Sequence, residues 1–325
     1  MPPLTVAAIV ETPHPISDAT LALCRTLGVA RHLPAATPRS LTFELHDAPV
    51  ALANALRRTL HSEISILALT FDAKDLRTDD VYIIPHELTL RLGLIPIRQV
   101  TGTRYTLDAR NDTDVTAPVF SSQLREVGEK SPDEMMAGGF VLTYLRPGKR
   151  LTISKIYAVD GVAYKDGARF SLPGKMSYST PPDRPAPSSL APPTRQTILM
   201  AVPRQKYFDP RHAIKTAALT IASKLAAISR ALTDAPVDYY SSDIEAVYTA
   251  GSATYKLIGE TVTIGNLLCA YGYEADPSIG NISCARHHPS FPYVVVSVSH
   301  SDPRGIMAAA IKAALSDLKT VVAAF

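Results

Sequence analysis

Cysteine is scarce in this 325-residue chain: Cys24, Cys269 and Cys284 are the only three. Three thiols build neither a disulfide framework nor a four-cysteine metal site, so a reducing compartment is expected. An excess of charge is missing too. Only 19% of residues are charged, and 33 Lys+Arg against 30 Asp+Glu leave a formal +3. That balance argues against a dedicated nucleic-acid coat and a polybasic membrane binder. No apolar run approaches the ~20 residues of a membrane span, and no basic stretch leads into an apolar core at the start, so neither a span nor an export signal is expected. Catalytic signatures are absent as well: no phosphate-cradling Gly-x-x-x-x-Gly-Lys, no Gly-x-Ser-x-Gly elbow, no His-Glu-x-x-His. The acidic pairs Asp79-Asp80 and Asp133-Glu134 fall in turn-like contexts and do not make the clustered carboxylates that hold two metal ions.

What is present is a folded chain. A hydrophobic content of 46% and this length leave room for about two domains with buried cores. Proline is abundant, 26 residues against a usual share of about 5%. It gathers in residues 1–39, read as an N-terminal extension with one short helix around Thr20–Leu27. It gathers again in Thr180–Thr194, whose six prolines break helix and ladder alike and predict an exposed linker over 181–196.

Between these clusters, Leu41, Phe43 and Leu45 alternate with polar neighbours, the pattern of a half-buried strand. Asp47 and Pro49 open a helix with Leu52, Leu56 and Leu60 on one face and Asn54, Arg57, Arg58 and His61 on the other. Ile64–Phe71 reads as an apolar strand, and a short helix runs from His86 to Leu92, stopped by Gly93. Residues 100–180 carry short strand candidates at Tyr105–Leu107, Val119–Phe120, Phe140–Leu145 and Leu151–Val159. Turns are expected at Asn111-Asp112, Pro147-Gly148, Asp160-Gly161 and Asp166-Gly167, which together predict a β-rich insert.

Two long helices dominate the remainder. From Pro210 to Asp234 the apolar positions are Ile214, Ala218, Ile221, Leu225, Ile228 and Leu232. From Pro303 to Phe325 they are Met307, Ile311, Ala314, Leu318, Val321 and Phe325. Both sets step by four and three in alternation, the seam of helices packed nearly in line. Each helix begins at a proline after an Asp that can cap it. At about 1.5–3 kcal/mol per fully buried large side chain, each stripe needs a partner, and the simplest is the other. The halves also echo one another: Leu52-Ala53-Asn54-Ala55-Leu56 matches Ile264-Gly265-Asn266-Leu267-Leu268 in pattern. Both follow a strand (Leu41–Leu45; Thr254–Ile258) and precede further strands, Tyr293–Val298 among them, and a long helix, as in a pseudo-two-fold body.

The stretch Asn54-Ala55-Leu56-Arg57-Arg58-Thr59-Leu60-His61-Ser62-Glu63 resembles the signature helix of the assembly subunits of multisubunit RNA polymerases: the bacterial alpha amino-terminal domain, the archaeal D subunit and the eukaryotic third-largest subunit. Arg91-Leu92-Gly93-Leu94-Ile95-Pro96-Ile97 resembles a second stretch of that family, and Gly139–Ser171, with the turn Leu145-Arg146-Pro147-Gly148-Lys149, looks like part of its insert. The C-terminal part, at Glu260–Leu268 and Cys284-Ala285-Arg286-His287-His288-Pro289, resembles the smaller partner, the archaeal L or eukaryotic eleventh subunit. Roughly residues 40–325 are covered, and the pair in one chain looks like the fused form of large eukaryotic DNA viruses. Two departures stand out. Residues 25–268 hold no cysteine, so the zinc or iron–sulfur cluster of some relatives has no ligands here, and Leu90 stands where a His often precedes Arg-Leu-Gly.

The resemblance implies an α+β, alpha-subunit-like dimerisation fold with both halves fused into an intramolecular pseudo-dimer. A discontinuous domain would span 40–99 and 197–235, the insert 100–180, a tether 236–252, and a second, smaller domain 253–325. Leu52, Leu56, Leu60, Leu267 and Leu268 would join the two long stripes at the interface. It implies a non-catalytic platform with no cofactor, on which the second-largest and largest polymerase subunits dock. A small subunit equivalent to the cellular tenth or twelfth would join them, DNA would be contacted only indirectly, and no membrane is involved. Asn54, Arg57, Arg58 and Arg91 would form the docking set, with a planar guanidinium fork suited to a carboxylate or backbone carbonyl. The implied location is the host nucleus or a cytoplasmic virus factory, with packaging in the virion open. Alternatives from other classes are a free-standing homodimeric α+β binding protein paired through its heptad helices, and an enzyme with an unfamiliar site. Cys284 with His287-His288 lacks further metal ligands, and Tyr239-Tyr240 and Tyr271 lack a basic patch for base stacking, so packing is expected for all of them.

Overall fold

The computed structural model describes residues 3–13, 22–23, 25–26, 39–97, 102, 104–127, 139–172, 176–180, 195–204, 208–233, 239–240, 244–249, 251–276 and 278–325. The strands are β1 (Thr5–Pro13), β2 (Arg39–Ala48), β3 (Ser65–Thr70), β4 (Leu76–Thr78), β5 (Arg104–Arg110), β6 (Ala117–Phe120), β7 (Leu124–Glu126), β8 (Val141–Leu145), β9 (Arg150–Val162), β10 (Ser177–Ser179), β11 (Gln196–Pro203), β12 (Tyr239–Tyr240), β13 (Ile244–Thr249), β14 (Ser252–Ile258), β15 (Asn281–Ala285) and β16 (Tyr293–Ser299). The helices are α1 (Val50–Ser62), α2 (Pro85–Gly93), α3 (Ala163–Asp166), α4 (Pro210–Thr233), α5 (Val262–Ala275) and α6 (Pro303–Ala324). The chain is α+β, and it divides into two compact units: 1–61, 174–205 and 209–325 form the first, 62–173 and 206–208 the second.

The described residues of the first unit include two antiparallel sheets and the helices α1, α4, α5 and α6. One sheet has the order β1-β2-β11-β10, the other β12-β13-β14-β16-β15. Alternation explains both. Leu41, Phe43 and Leu45 on β2 face the core with Ile198, Met200 and Val202 on β11, and Ala253, Tyr255 and Leu257 on β14 do so with Val294, Val296 and Val298 on β16. The two sheets share one plan. In the chain order β1, β2, α1, β10, β11, α4 the strands lie outer, inner, outer, inner in their sheet. The series β13, β14, α5, β15, β16, α6 repeats it, with β12 added at one edge. A ββαββα unit therefore occurs twice, and the first copy is interrupted between α1 and β10 by the second unit.

The predicted helical seams meet. α4 packs on α6, and α5 packs on α6 as well. Ile214, Ala218, Ile221, Leu225, Ile228 and Leu232 are all buried, as are Met307, Ile311, Ala314, Leu318 and Val321. Phe325, the last of the series, meets Phe43 of β2 edge to face, with ring centroids 4.9 Å apart. Leu52, Leu56 and Leu60 on α1 and Leu267 and Leu268 on α5 are buried too. The Asp caps form as expected: Asp209 Oδ1 accepts from Arg211 N at 3.0 Å and Asp302 Oδ1 from Gly305 N at 2.9 Å.

The second unit is a sheet of order β3-β9-β5-β7, with β4 also paired to β9, plus the two-stranded β6–β8 ladder. Leu69, Leu92, Tyr105, Leu107, Ile153 and Ile156 lie in its core. Asp80, buried, fixes the turn after β8. It accepts from Arg146 N and Arg146 Nε, each at 3.0 Å, while the Arg146 guanidinium lies 4.3 Å above the Tyr82 ring. Burial pushes the Asp80 carboxyl up, but the Arg146 and Tyr82 hydrogen bonds and the Arg146 charge outweigh it and hold the group below its ordinary value.

Four expectations change. The sequence predicts the strand at Ile64–Phe71 and the helix at His86–Leu92 in the domain spanning 40–99, yet β3 pairs with β9 and both fall in the unit of the insert, so the boundary lies near residue 62. The 1–39 extension supplies an edge strand, since β1 pairs with β2; of the helix around Thr20–Leu27, Ala22, Leu23, Arg25 and Thr26 are helical and the rest lies outside the described residues. The 236–252 tether contains β12 and β13, because Ile244 and Ala246 alternate into the core, so the second half begins before residue 253. Asp160-Gly161 is no turn. Gly161 sits inside β9 because the Phe170 ring covers it, and a Cβ there would lie 2.6 Å from Phe170 Cζ. Of the linker expected over 181–196, residues 181–194 lie outside the described residues, as do Cys24 and Asp133-Glu134, and Gln196 already belongs to β11.

Candidate protein-docking face

α1 starts without an acidic first turn, its first bond running from Leu52 N to Pro49 O at 3.0 Å. Its buried row leaves Asn54, Arg57, Arg58 and His61 on the opposite side, as the spacing predicts. The structure gives the two arginines different tasks. Arg57 Nη2 donates to Asn54 Oδ1 at 3.0 Å, one turn back. Arg58 Nε donates to Thr263 Oγ1 of α5 at 2.7 Å, so this guanidinium ties the two repeats together. Arg57 and His61 then line a cavity of about 540 Å³ with Met176, Ser177 and Tyr178, the last two on β10. Arg91 lies on α2 in the second unit, partly exposed, and its Nη2 donates to Glu87 Oε1 of the preceding turn at 2.8 Å.

A second cluster, which the spacing of residues did not foreshadow, joins the repeats. Arg195, at the start of the chain's return into β11, donates from Nε to Glu274 Oε2 at 2.9 Å and from Nη1 to the Asp47 carbonyl at 2.8 Å. Its Nη2 lies 3.0 Å from Asp317 Oδ2, which also accepts from the Tyr271 hydroxyl at 2.8 Å. The Tyr271 ring lies beneath the guanidinium, 5.5 Å from centroid to Cζ. Asp47 adopts φ 53°, a left-handed conformation that Asp tolerates better than most residues. All three charged side chains are close to buried, at 10–12% exposure. Burial raises the Glu274 carboxyl, with Arg195 partly offsetting it, and burial and the Asp317 charge push the Tyr271 phenol far up. Arg195 is raised despite its burial, because Glu274 and Asp317 hold its proton. Glu274 and Asp47 lie 79 and 148 residues from Arg195 in sequence, so no local pattern could have revealed these bonds. Two further cross-links join the repeats: Lys224 Nζ to Glu260 Oε2 at 3.0 Å, and Arg304 Nη2 to the Leu232 carbonyl.

Among the described residues no group of three His, Cys, Asp or Glu is placed to hold a metal ion. Burial pushes the Cys269 thiol up to about 12, with Cys284 nearby adding to it, and the Cys284 thiol up to about 11, so both stay protonated at neutral pH and are poor nucleophiles. Tyr271 is fully buried and unable to stack on a base; the side chains of Tyr239 and Tyr240 lie outside the described residues. No helix among the described residues is long and apolar enough to cross a membrane. A search against protein-family models finds none that matches the chain.

Proposed function

We propose that this chain is a non-catalytic assembly subunit of a DNA-directed RNA polymerase, in which two subunits that pair as separate chains in cellular enzymes are joined in one polypeptide. One observation carries the reading: the ββαββα plan occurs twice in one body, its long helices α4 and α6 packed on each other and its first copy interrupted by a β-rich unit. The signature stretch Asn54–Glu63 begins on the short helix of the first copy, and Ile264–Leu268 lies on the corresponding helix of the second. On this reading the alpha-like pseudo-dimer organises the second-largest and largest subunits, with a small subunit of the tenth or twelfth type, and meets DNA only through them. Catalysis and its metal ions belong to the large subunits. The chain acts in the nucleus or in a cytoplasmic virus factory.

The test is affinity capture with the second-largest subunit. The double variant Arg57→Ala/Arg58→Ala is expected to remain folded, with a loss of about 1 kcal/mol from the missing Arg58–Thr263 hydrogen bond. Its recovery of that subunit should fall about ten-fold or more. Equal recovery by variant and parent would remove the docking role. A homodimeric binding protein paired through its heptad helices is the weaker reading, because both apolar stripes are already covered within one chain.

A further inference from the structure

Cys269 and Cys284 lie where α5 packs on β15, the strand that ends its sheet. Two glycines bring this helix close to the strand. A Cβ at Gly265 would collide with the Cys284 sulfur, and one at Gly272 would lie 2.5 Å from Ile282 Cδ1. Gly265, Cys269 and Gly272 step by four and three, so they share one helix face, and that face is turned to β15. Cys269 therefore sits between the two glycines that meet Cys284 and Ile282, neighbours on the same side of the strand. A helical side chain leans toward the N-terminal end of its helix. That direction carries the Cys269 thiol toward Gly265 and so toward the Cys284 sulfur resting there. Both thiols are partly buried, and no third His, Cys, Asp or Glu among the described residues joins them to hold a metal ion.

We propose that Cys269 and Cys284 form a dithiol clamp, closed to a disulfide by hydrogen peroxide, which pins α5 to the outermost strand of the second sheet. Cys284 reacts first, because exposed Ser283 and Ala285 flank it on an edge strand. Its thiolate attacks one peroxide oxygen and the O–O bond breaks. A sulfenic acid forms, and the departing hydroxide takes up the proton that the thiol released. The Cys269 sulfur then attacks the sulfenic sulfur. The S–S bond forms, the S–O bond breaks, and the second thiol proton leaves with that oxygen as water. Two thiols and one peroxide thus give one disulfide and two waters. Burial keeps both thiols protonated at neutral pH, so closure is slow there and quickens about ten-fold per pH unit. The clamp does not depend on the assembly reading.

The test uses the full chain carrying Cys24→Ser, which leaves this pair as its only thiols. The chain is treated with hydrogen peroxide at pH 7 and pH 9, alkylated under denaturing conditions and mapped by mass spectrometry. It is also melted with and without dithiothreitol. The expected product is a peptide link between Cys269 and Cys284 within one chain, with both alkylation sites lost together. Melting should rise by about 5 °C and return to its starting value in dithiothreitol. The link should form about a hundred-fold faster at pH 9 than at pH 7. Cys269→Ser and Cys284→Ser on the same background should gain no stability from peroxide. Sulfinic or sulfonic acids in place of the link, links between chains, or two thiols that survive treatment would each overturn the clamp. So would a link that leaves melting unchanged, or a peroxide-dependent rise in either serine variant. The peptide map is read on the Cys24→Ser chain alone, so it decides the bond even where a further serine variant does not fold.

Discussion

Arg195 illustrates what a single side chain holds in place. Its guanidinium touches a β2 carbonyl from the first repeat and carboxylates on α5 and α6 of the second, in a site nearly closed to water. Removing one partner of such a group leaves the others charged and unpaired, a far larger loss than the net worth of the ion pair. Arg195→Met is therefore expected to cost about 3–5 kcal/mol in urea denaturation at neutral pH. The sign of the pH dependence follows from Glu274, whose folded value is raised above its ordinary one. An acid raised by folding weakens the fold when ionised, so its burden grows as pH rises from the ordinary carboxylate range through the folded value. In the variant, with Arg195 gone, that value rises further. Part of the loss should return near pH 5, and a penalty that does not change with pH would contradict this account. Gly161 gives a steric counterpart. Gly161→Val should cost about 1–3 kcal/mol by overpacking against Phe170, and Phe170→Leu in the same chain should recover part of it in thermal melts.

At the scale of elements, the strongly periodic segments were readable and the sequence-distant pairings were not. The seams of α4 and α6 could be traced from Ile214 to Phe325 because six spaced positions per helix repeat one rule, and tertiary packing obeys it. β2 alternates cleanly and β16 is a continuous apolar run, and both are equally plain. The body to which β3 belongs is not legible, because Ser65–Thr70 reads as any apolar strand and nothing local announces that Tyr157–Val162 pairs with it. β13 is short and interrupted by Glu245 and the exposed Val247, with Ile244, Ala246 and the half-buried Tyr248 on its inward face. In the candidate site, Asn54, Arg57 and Arg58 stood out on a polar helix face, but the division of labour between the arginines depends on Thr263, 205 residues away. Leu225→Ala and Leu318→Ala are each expected to cost about 2–5 kcal/mol. If the α4–α6 seam is one packed layer, their double variant should depart from additivity, and strict additivity would mean that the two positions sit in separate pockets.

For the whole molecule, an intramolecular seam predicts that the isolated chain sediments as a monomer. Both stripes are covered already, and a self-associating species whose mass doubles with concentration would mean that they pair between chains. Aligning Asn54 with Asn266 sets the two short helices in register and shows how far the copies have diverged. Cys269 then occupies the place of Arg57, and Tyr273 that of His61. The cationic notch therefore exists on one flank only. Two exchangeable copies of a single gene product would carry it twice, and a visitor could arrive from either side. On the proposed assembly reading, covalent union of unlike copies would fix the stoichiometry at one visitor per body and give the assembly a handed order of arrival.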